Sequence, residues 1–109
     1  MTKALGLREL DDLETVFKAL AHATRRRILV VVNARGGRMG AGAIAARFSC
    51  AWPTVSRHLR VLEESGVLRV DRQGREWLYV MDYDRLQGVV GGWLNWFGPK
   101  GEETSDEQA

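Results

Sequence analysis

The chain has 109 residues, of which 45% are hydrophobic and 28% are charged, and its formal net charge is +2 at pH 7. These values are typical of one globular domain and exclude wholesale disorder. We expect no transmembrane helix and no secretory signal, because the sequence shows no apolar run of about 18 residues and no leader pattern.

Two helices are predicted at the start of the chain. Apolar residues recur every three or four positions over about 9–21, which indicates an amphipathic helix. Over about 24–34 they cover nearly all sides, so we predict that the second helix is the central buried one. Its first turn holds three arginines, 25–27, where cations oppose the helix dipole. We therefore expect another role for them, such as phosphate contact or pairing with the acidic first helix.

A helix-turn-helix is predicted next. Residues 36–42 form a glycine-rich loop that lacks the spacing of a nucleotide-binding loop. A short helix over 43–48, a turn over 49–51 and a second helix over 53–62 complete the motif.

The helix over 53–62 combines an apolar face with a polar one. Val55, Leu59 and Leu62 share one side, with His58 at its edge. Arg57 and Arg60 point the opposite way and offer guanidinium donors to a DNA groove. Trp52 precedes this helix and either packs on sugar and thymine methyl groups or covers the turn. The polar positions flanking the two arginines are Thr54 and Ser56.

A two-stranded hairpin is predicted over about 68–81 from the alternation of apolar and polar residues. Gly66 precedes it as a helix C-terminal glycine, and Gly74 supplies a positive φ at the tip, 72–75. A helix that leads into a hairpin in this way is typical of a winged helix. Arginines at the tip suit a wing that contacts DNA, although a solvated turn would have the same composition.

The last helix is predicted over about 83–97. Its three glycines, Gly88, Gly91 and Gly92, either permit another backbone to pack closely or make the helix irregular. Its large apolar face is explained by a partner subunit or by burial in the core of the same chain.

Positive charge is concentrated in the middle of the chain. Residues 33–75 hold eight arginines against three acidic residues, whereas residues 99–109 carry a net charge of −3. This distribution is expected for phosphate contact and also for an ordinary solvated basic face. We divide the chain into a folded unit, 1–98, and an acidic tail, 99–109, which we expect to be disordered. The predicted DNA-contacting residues are Trp52, Thr54, Ser56, Arg57, Arg60, Arg72, Gln73 and Arg75.

Four segments resemble signatures of the ArsR family of bacterial winged-helix repressors. They are 17–29, 53–59, 61–68 and 72–75, and the resemblance extends over about 10–97. It implies an α+β, mostly helical winged helix-turn-helix with dimerisation helices at both ends. It also implies a homodimer that binds a palindromic operator and represses transcription in the cytoplasm. The dimerisation residues that follow from it are Leu10, Leu13, Phe17, Val89, Trp93, Trp96 and Phe97.

The chain departs from the metal-sensing members that it resembles. Such members often carry a Cys-x-Cys pair where this chain has Gly40 and Gly42. A site for a soft transition metal needs three or four thiolate or imidazole ligands, and this chain has one cysteine and two histidines. We therefore predict no metal and no cofactor. His22 stands where the family commonly has aspartate.

Cys50 has two interpretations. It is either a small buried hydrophobe in the turn or a redox switch beside the helix over 53–62. One cysteine cannot form an internal disulfide, which fits a reducing cytoplasm.

Two classes of function are compatible with these patterns. The first is a dimeric DNA-binding repressor, and the second is a winged-helix protein-interaction module that has lost DNA binding. No acid–base pair, activated nucleophile or cofactor loop is apparent, so an enzyme is not predicted. The operator and the effector, if one exists, are not specified by the sequence.

Overall fold

The computed structural model describes residues 6–98, so the predicted tail, 99–109, lies outside the described residues. Helices alternate with three short strands, and the last helix contains a π-helical turn between two α-helical segments. The elements are α1 (Leu7–Leu20), α2 (Ala23–Ala34), β1 (Arg38–Gly40), α3 (Ala41–Ala45), α4 (Trp52–Glu64), β2 (Leu68–Gln73), β3 (Glu76–Met81), α5 (Tyr83–Leu86), the π turn (Gln87–Gly91) and α6 (Gly92–Trp96).

The sheet has three antiparallel strands in the order β1–β3–β2 rather than the two that we predicted. The added strand, β1, lies inside the predicted glycine loop, and Met39 pairs with Tyr79 across it. Gly37, with φ near +90°, turns the chain into β1, and its carbonyl accepts a hydrogen bond from the Met81 amide at 2.8 Å. Three residues are too few to show strand alternation, which is why the sequence did not reveal this strand.

One hydrophobic core joins the helices to the sheet. Val16 of α1, Ile28 and Val32 of α2, Ile44 of α3 and Leu59 of α4 are all fully buried in it. This packing places α4 across the domain and leaves the outer side of α4 accessible.

The expectation that α2 is buried on nearly all sides was wrong. Ile28, Leu29 and Val32 are buried, but 67% of Val30 is exposed. Helix α2 packs against α1, α3, α4, β1 and β3, as expected of a central helix, but these neighbours bury one stripe of it and leave the rest facing solvent.

Two of the three arginines at the start of α2, Arg25 and Arg26, contact the first helix, which was one of the two expected roles, but they bind carbonyls at its end rather than its acidic side chains. Arg25 donates from Nε to the Ala19 carbonyl at 2.7 Å and from Nη2 to the Lys18 carbonyl at 3.1 Å. Arg26 donates from Nη1 to the Leu20 carbonyl at 2.8 Å. These bonds add partners to the last carbonyls of α1, of which that of Lys18 also accepts from the Ala21 amide, and the cations complement the negative end of its dipole.

The C-terminal helix, which comprises α5, the π turn and α6, is irregular where the glycines occur. Gly88 and Gly91 lie within the π turn, and Gly92 begins α6. A Cβ added at Gly88 or Gly92 would meet no atom within 4 Å apart from its chain neighbours and the backbone of its own helix. The helix is irregular at the glycines, as one of the two explanations requires, and within the described residues no other backbone packs on Gly88 or Gly92.

Candidate DNA-binding surface

Helix α4 has the two faces that the sequence predicts. Val55, Leu59 and Leu62 are fully buried, whereas Arg57 and Arg60 are exposed on the opposite side. The helix begins one residue earlier than predicted, at Trp52, and Pro53 occupies its first turn, where a missing amide proton has no cost. Burial of the apolar stripe therefore fixes which side chains point outward.

The outer side of α4, which we call the reading face, consists of Thr54, Ser56, Arg57 and Arg60. Arg57 donates from Nη2 to the Thr54 hydroxyl at 3.5 Å, a long and weak bond. Neither arginine forms an ion pair with any carboxylate of residues 6–98. Both guanidinium groups can therefore accept an anionic partner without first breaking an internal salt bridge.

The hairpin between β2 and β3 forms the wing, and its tip is Arg72–Arg75. Gly74 has φ near +63°, as predicted for this turn. The Arg72 guanidinium lies over the ring of its cross-strand partner Trp77, 4.7 Å from the centroid, which is a cation–π contact. Gln73 donates to Asp71 at 3.3 Å. The tip is thus cationic, and one of its arginines is held in place by an aromatic ring.

Further back along the wing, exposed ion pairs neutralise two arginines. Arg38 lies 4.0 Å from Asp71, and Arg69 lies 3.8 Å from Asp82. Exposed pairs of this kind contribute little to stability. No such pair with the described residues involves the arginines of the reading face or of the tip, which are Arg57, Arg60, Arg72 and Arg75.

A groove joins the start of α4 to the wing and brings predicted residues from both elements together. Trp52, Ser56 and Arg75 line it, along with Glu76 and Trp77. The two tryptophans remain 47% and 42% exposed. Trp77 was not among the predicted contacts. Strand β3 extends beyond the core at the tip of the wing, so Trp77 lines the groove there.

Tyr79 lies on the floor of this groove. Its ring is buried, and burial raises the pKa of the phenol, with a smaller contribution from the negative charge of Glu63. The floor is therefore neutral, and the charge of the groove comes from its rim.

The residues predicted for dimerisation lie on α1 and the C-terminal helix, which pack together. Phe17 meets Trp93 edge to face at 5.0 Å between centroids, and Trp93 meets Phe97 at 5.0 Å. Leu13 is already buried within the chain, and Val89 is half-buried. The large apolar side chains that remain exposed on these two helices are Leu7, Leu10, Leu94, Trp96 and Phe97.

The described residues contain no cluster of three or more histidine, cysteine, aspartate or glutamate side chains that could hold a metal ion. Gly40 and Gly42 flank the start of α3, close to where the sequence predicts the helix before the turn. Cys50 is half-buried and packs against the core, which fits the interpretation of this residue as a small hydrophobe. Within residues 6–98, no helix is long and apolar enough to span a membrane.

A helix-turn-helix formed by α3 and α4, followed by a β-hairpin beside the reading face, defines the winged helix-turn-helix class of DNA-binding domains. In agreement with this class, residues 20–71 match the model of a family described as a helix-turn-helix domain. The turn between the two helices covers residues 46–51, slightly longer than predicted because α3 ends at Ala45.

Known proteins identify the family. The chain is 36% identical to the transcriptional repressor SdpR of Bacillus subtilis over 76% of this chain and 90% of the repressor. It is 32% identical to the arsenic resistance transcriptional regulator ArsR1 of Pseudomonas putida over 85% of this chain and 77% of the regulator. The chain belongs to the ArsR family of winged-helix transcriptional regulators, and it is a DNA-binding transcriptional regulator.

The fold agrees with solved structures of this family. A homodimeric winged helix-turn-helix DNA-binding domain from Mycobacterium bovis, a possible ArsR-family regulator, superposes with a TM-score of 0.65 at 25% identity. The match covers 85% of this chain and 88% of that domain.

Proposed function

We propose that the protein is a homodimeric repressor that binds a palindromic operator. The observation that carries the proposal is the groove between α4 and the wing, which places Ser56 of the reading face and Arg75 of the wing tip on one surface. In this proposal α4 enters the major groove, where Arg57 and Arg60 reach base edges. The wing tip contacts the flanking backbone through Arg72, Gln73 and Arg75.

The proposed dimer pairs the exposed apolar sides of α1 and the C-terminal helix. Five large apolar side chains are exposed there, and a patch of this kind is unusual on a monomer. A twofold axis through this surface would set two copies of α4 about 34 Å apart, one turn of B-DNA. The homodimeric winged-helix domain from Mycobacterium bovis supports dimer formation.

Fluorescence anisotropy with duplexes from the region upstream of the protein's own gene tests the proposal. We expect one duplex containing an inverted repeat to bind two chains, with an affinity that falls steeply between 50 and 200 mM salt, as about 6–10 phosphate contacts require. A scrambled duplex of equal composition is the control. Equal affinity for both duplexes would reject sequence-specific repression.

Replacing Leu94 and Trp96 with aspartate is expected to dissociate the dimer, because the changes place charges in an apolar interface while both side chains are exposed in the single chain. Sedimentation at micromolar concentration would then show a monomer. Val30→Asp, which alters an exposed apolar residue on α2, is the matched control and should remain dimeric. A dimer that survives the first pair of changes places the interface elsewhere.

We further propose that release from DNA does not use a tightly bound transition metal. Operator affinity is expected to change less than tenfold, about 1.4 kcal/mol of coupling, in zinc, copper, nickel or arsenite. Cys50→Ala should fold and bind the operator as the parent chain does, because Cys50 packs as a small hydrophobe. Stoichiometric metal uptake with a larger loss of affinity would contradict this, and a peroxide effect abolished by Cys50→Ala would support the redox switch.

A further inference from the structure

The two histidines of the chain, which are far apart in sequence, meet behind the reading helix α4. The rings of His22 and His58 lie 4.4 Å apart between centroids, with 51° between their planes. His22 precedes α2 at the α1–α2 junction, and His58 lies at the edge of the buried face of α4. No other histidine occurs in the sequence. The pair therefore connects the DNA-facing helix to the junction.

His22 caps α2 through its ring. Its Nδ1 accepts a hydrogen bond from the Thr24 amide at 3.2 Å, the bond that an aspartate or asparagine side chain makes at a helix start. An imidazole nitrogen accepts only while it is unprotonated. The cap on α2 therefore requires that Nδ1 of His22 carries no proton.

His58 requires an unprotonated Nδ1 for a different reason. Its Nδ1 lies 3.3 Å from Nη1 of Arg25, and a guanidinium group only donates hydrogen bonds. His58 must therefore be the acceptor. The same Arg25 donates to the carbonyls of Ala19 and Lys18 at the end of α1. The Arg25 guanidinium thus connects its own helix α2 to α1 and to α4. Its bond to α4 forms only while Nδ1 of His58 is unprotonated.

The charged groups that face His58 are all cationic. Burial lowers the pKa of His58, and the positive charges of His22, Arg25 and Arg57 lower it further. His22 comes from the junction, Arg25 from α2 and Arg57 from α4 itself. Protonation of His58 would remove the acceptor that Arg25 needs and place a third cation beside Arg25 and Arg57, so the contact between α2 and α4 persists only while His58 is neutral.

We propose that His22, His58 and Arg25 form a proton-sensitive latch that holds α4 against the α1–α2 junction and loosens on acidification. A histidine whose folded pKa is depressed stabilises the fold above its unfolded pKa of about 6.5, and this contribution disappears as the pH falls. The latch is therefore intact at pH 7.5 and weakened at pH 5.5. The further consequence, weaker operator binding at pH 5.5, rests on the proposed function.

Denaturant unfolding of the full chain at pH 7.5 and 5.5 tests the latch without DNA. Because the pKa of His58 is lower in the fold than in the unfolded chain, the unfolding equilibrium constant should rise between pH 7.5 and 5.5, by at most about tenfold, the limit for one ring that does not protonate in the fold. The matched control replaces His22 and His58 with asparagine, which keeps an acceptor at each position and does not titrate. We expect this variant to lose most of the pH dependence between these two values. An unfolding constant of the parent chain that is the same at both pH values, or a variant as pH-dependent as the parent, would overturn the latch.

The DNA measurement uses the upstream duplex that binds in the anisotropy experiment, at fixed salt and at both pH values. We expect the parent chain to lose affinity at pH 5.5 and the asparagine variant to change little. Added positive charge alone would strengthen phosphate binding, so a rise in affinity at pH 5.5 would show that the latch does not control DNA binding. If no duplex binds at any pH, the proposed function fails while the unfolding result stands by itself.

Discussion

Replacing Arg57 and Arg60 together with alanine is expected to reduce operator affinity at least 30-fold, because each base contact contributes about 1–3 kcal/mol. Both side chains are exposed on α4 and neither is tied to a carboxylate of the described residues, so their removal should leave the fold intact. Anisotropy against the operator and its scrambled counterpart is the measurement. Loss of discrimination between the two duplexes would identify base reading as the role of these arginines.

Arg75→Ala is the matched comparison for that experiment. It removes one exposed cation from the wing tip, where a phosphate contact is expected instead of a base contact. Affinity should then fall by a similar factor for all duplexes, and the slope of log K against log salt should flatten by about 1. If the double alanine variant of Arg57 and Arg60 also weakens binding to all duplexes by one factor, as Arg75→Ala is expected to do, α4 does not read sequence in the way proposed.

The features that the sequence did predict depend on local periodicity. The apolar stripe of α4 recurs at helical spacing, and the positive φ of Gly66 and Gly74 follows from local turn chemistry. These local signals were enough to place the reading face and the wing. They also agree with the family signatures, which lie in the same segments.

The features that it did not predict depend on contacts between distant segments. The hydrogen bonds of Arg25 and Arg26 to the end of α1 require the angle between two helices, which no local pattern contains. The contact between His22 and His58 also depends on how distant segments pack. So does the groove that Trp52 and Trp77 line together. In each case the residue types were visible in the sequence, but the partner became known only from the fold.

Helix α2 offers the sharpest test of this difference. Ile28 and Val30 both belong to its apolar run, and the sequence pattern predicts that both are buried. In the structure Ile28 is fully buried and 67% of Val30 is exposed. Substituting Ile28 and Val30 separately therefore shows whether stability follows the apolar pattern of the sequence or the burial seen in the fold.

Ile28→Ala is expected to lower the free energy of unfolding by about 2–5 kcal/mol, since it removes buried methyl groups and leaves a cavity in the core. Val30→Ala should change it by less than about 0.5 kcal/mol, because an exposed side chain loses little burial and alanine favours the helix. Urea unfolding followed by circular dichroism measures both values. The free energy of unfolding of such a domain is about 5–15 kcal/mol in total. Ile28→Ala alone should therefore measurably lower the urea concentration at the unfolding midpoint. Equal losses at the two positions would mean that α2 is covered on its outer side as well, by a second copy or another partner.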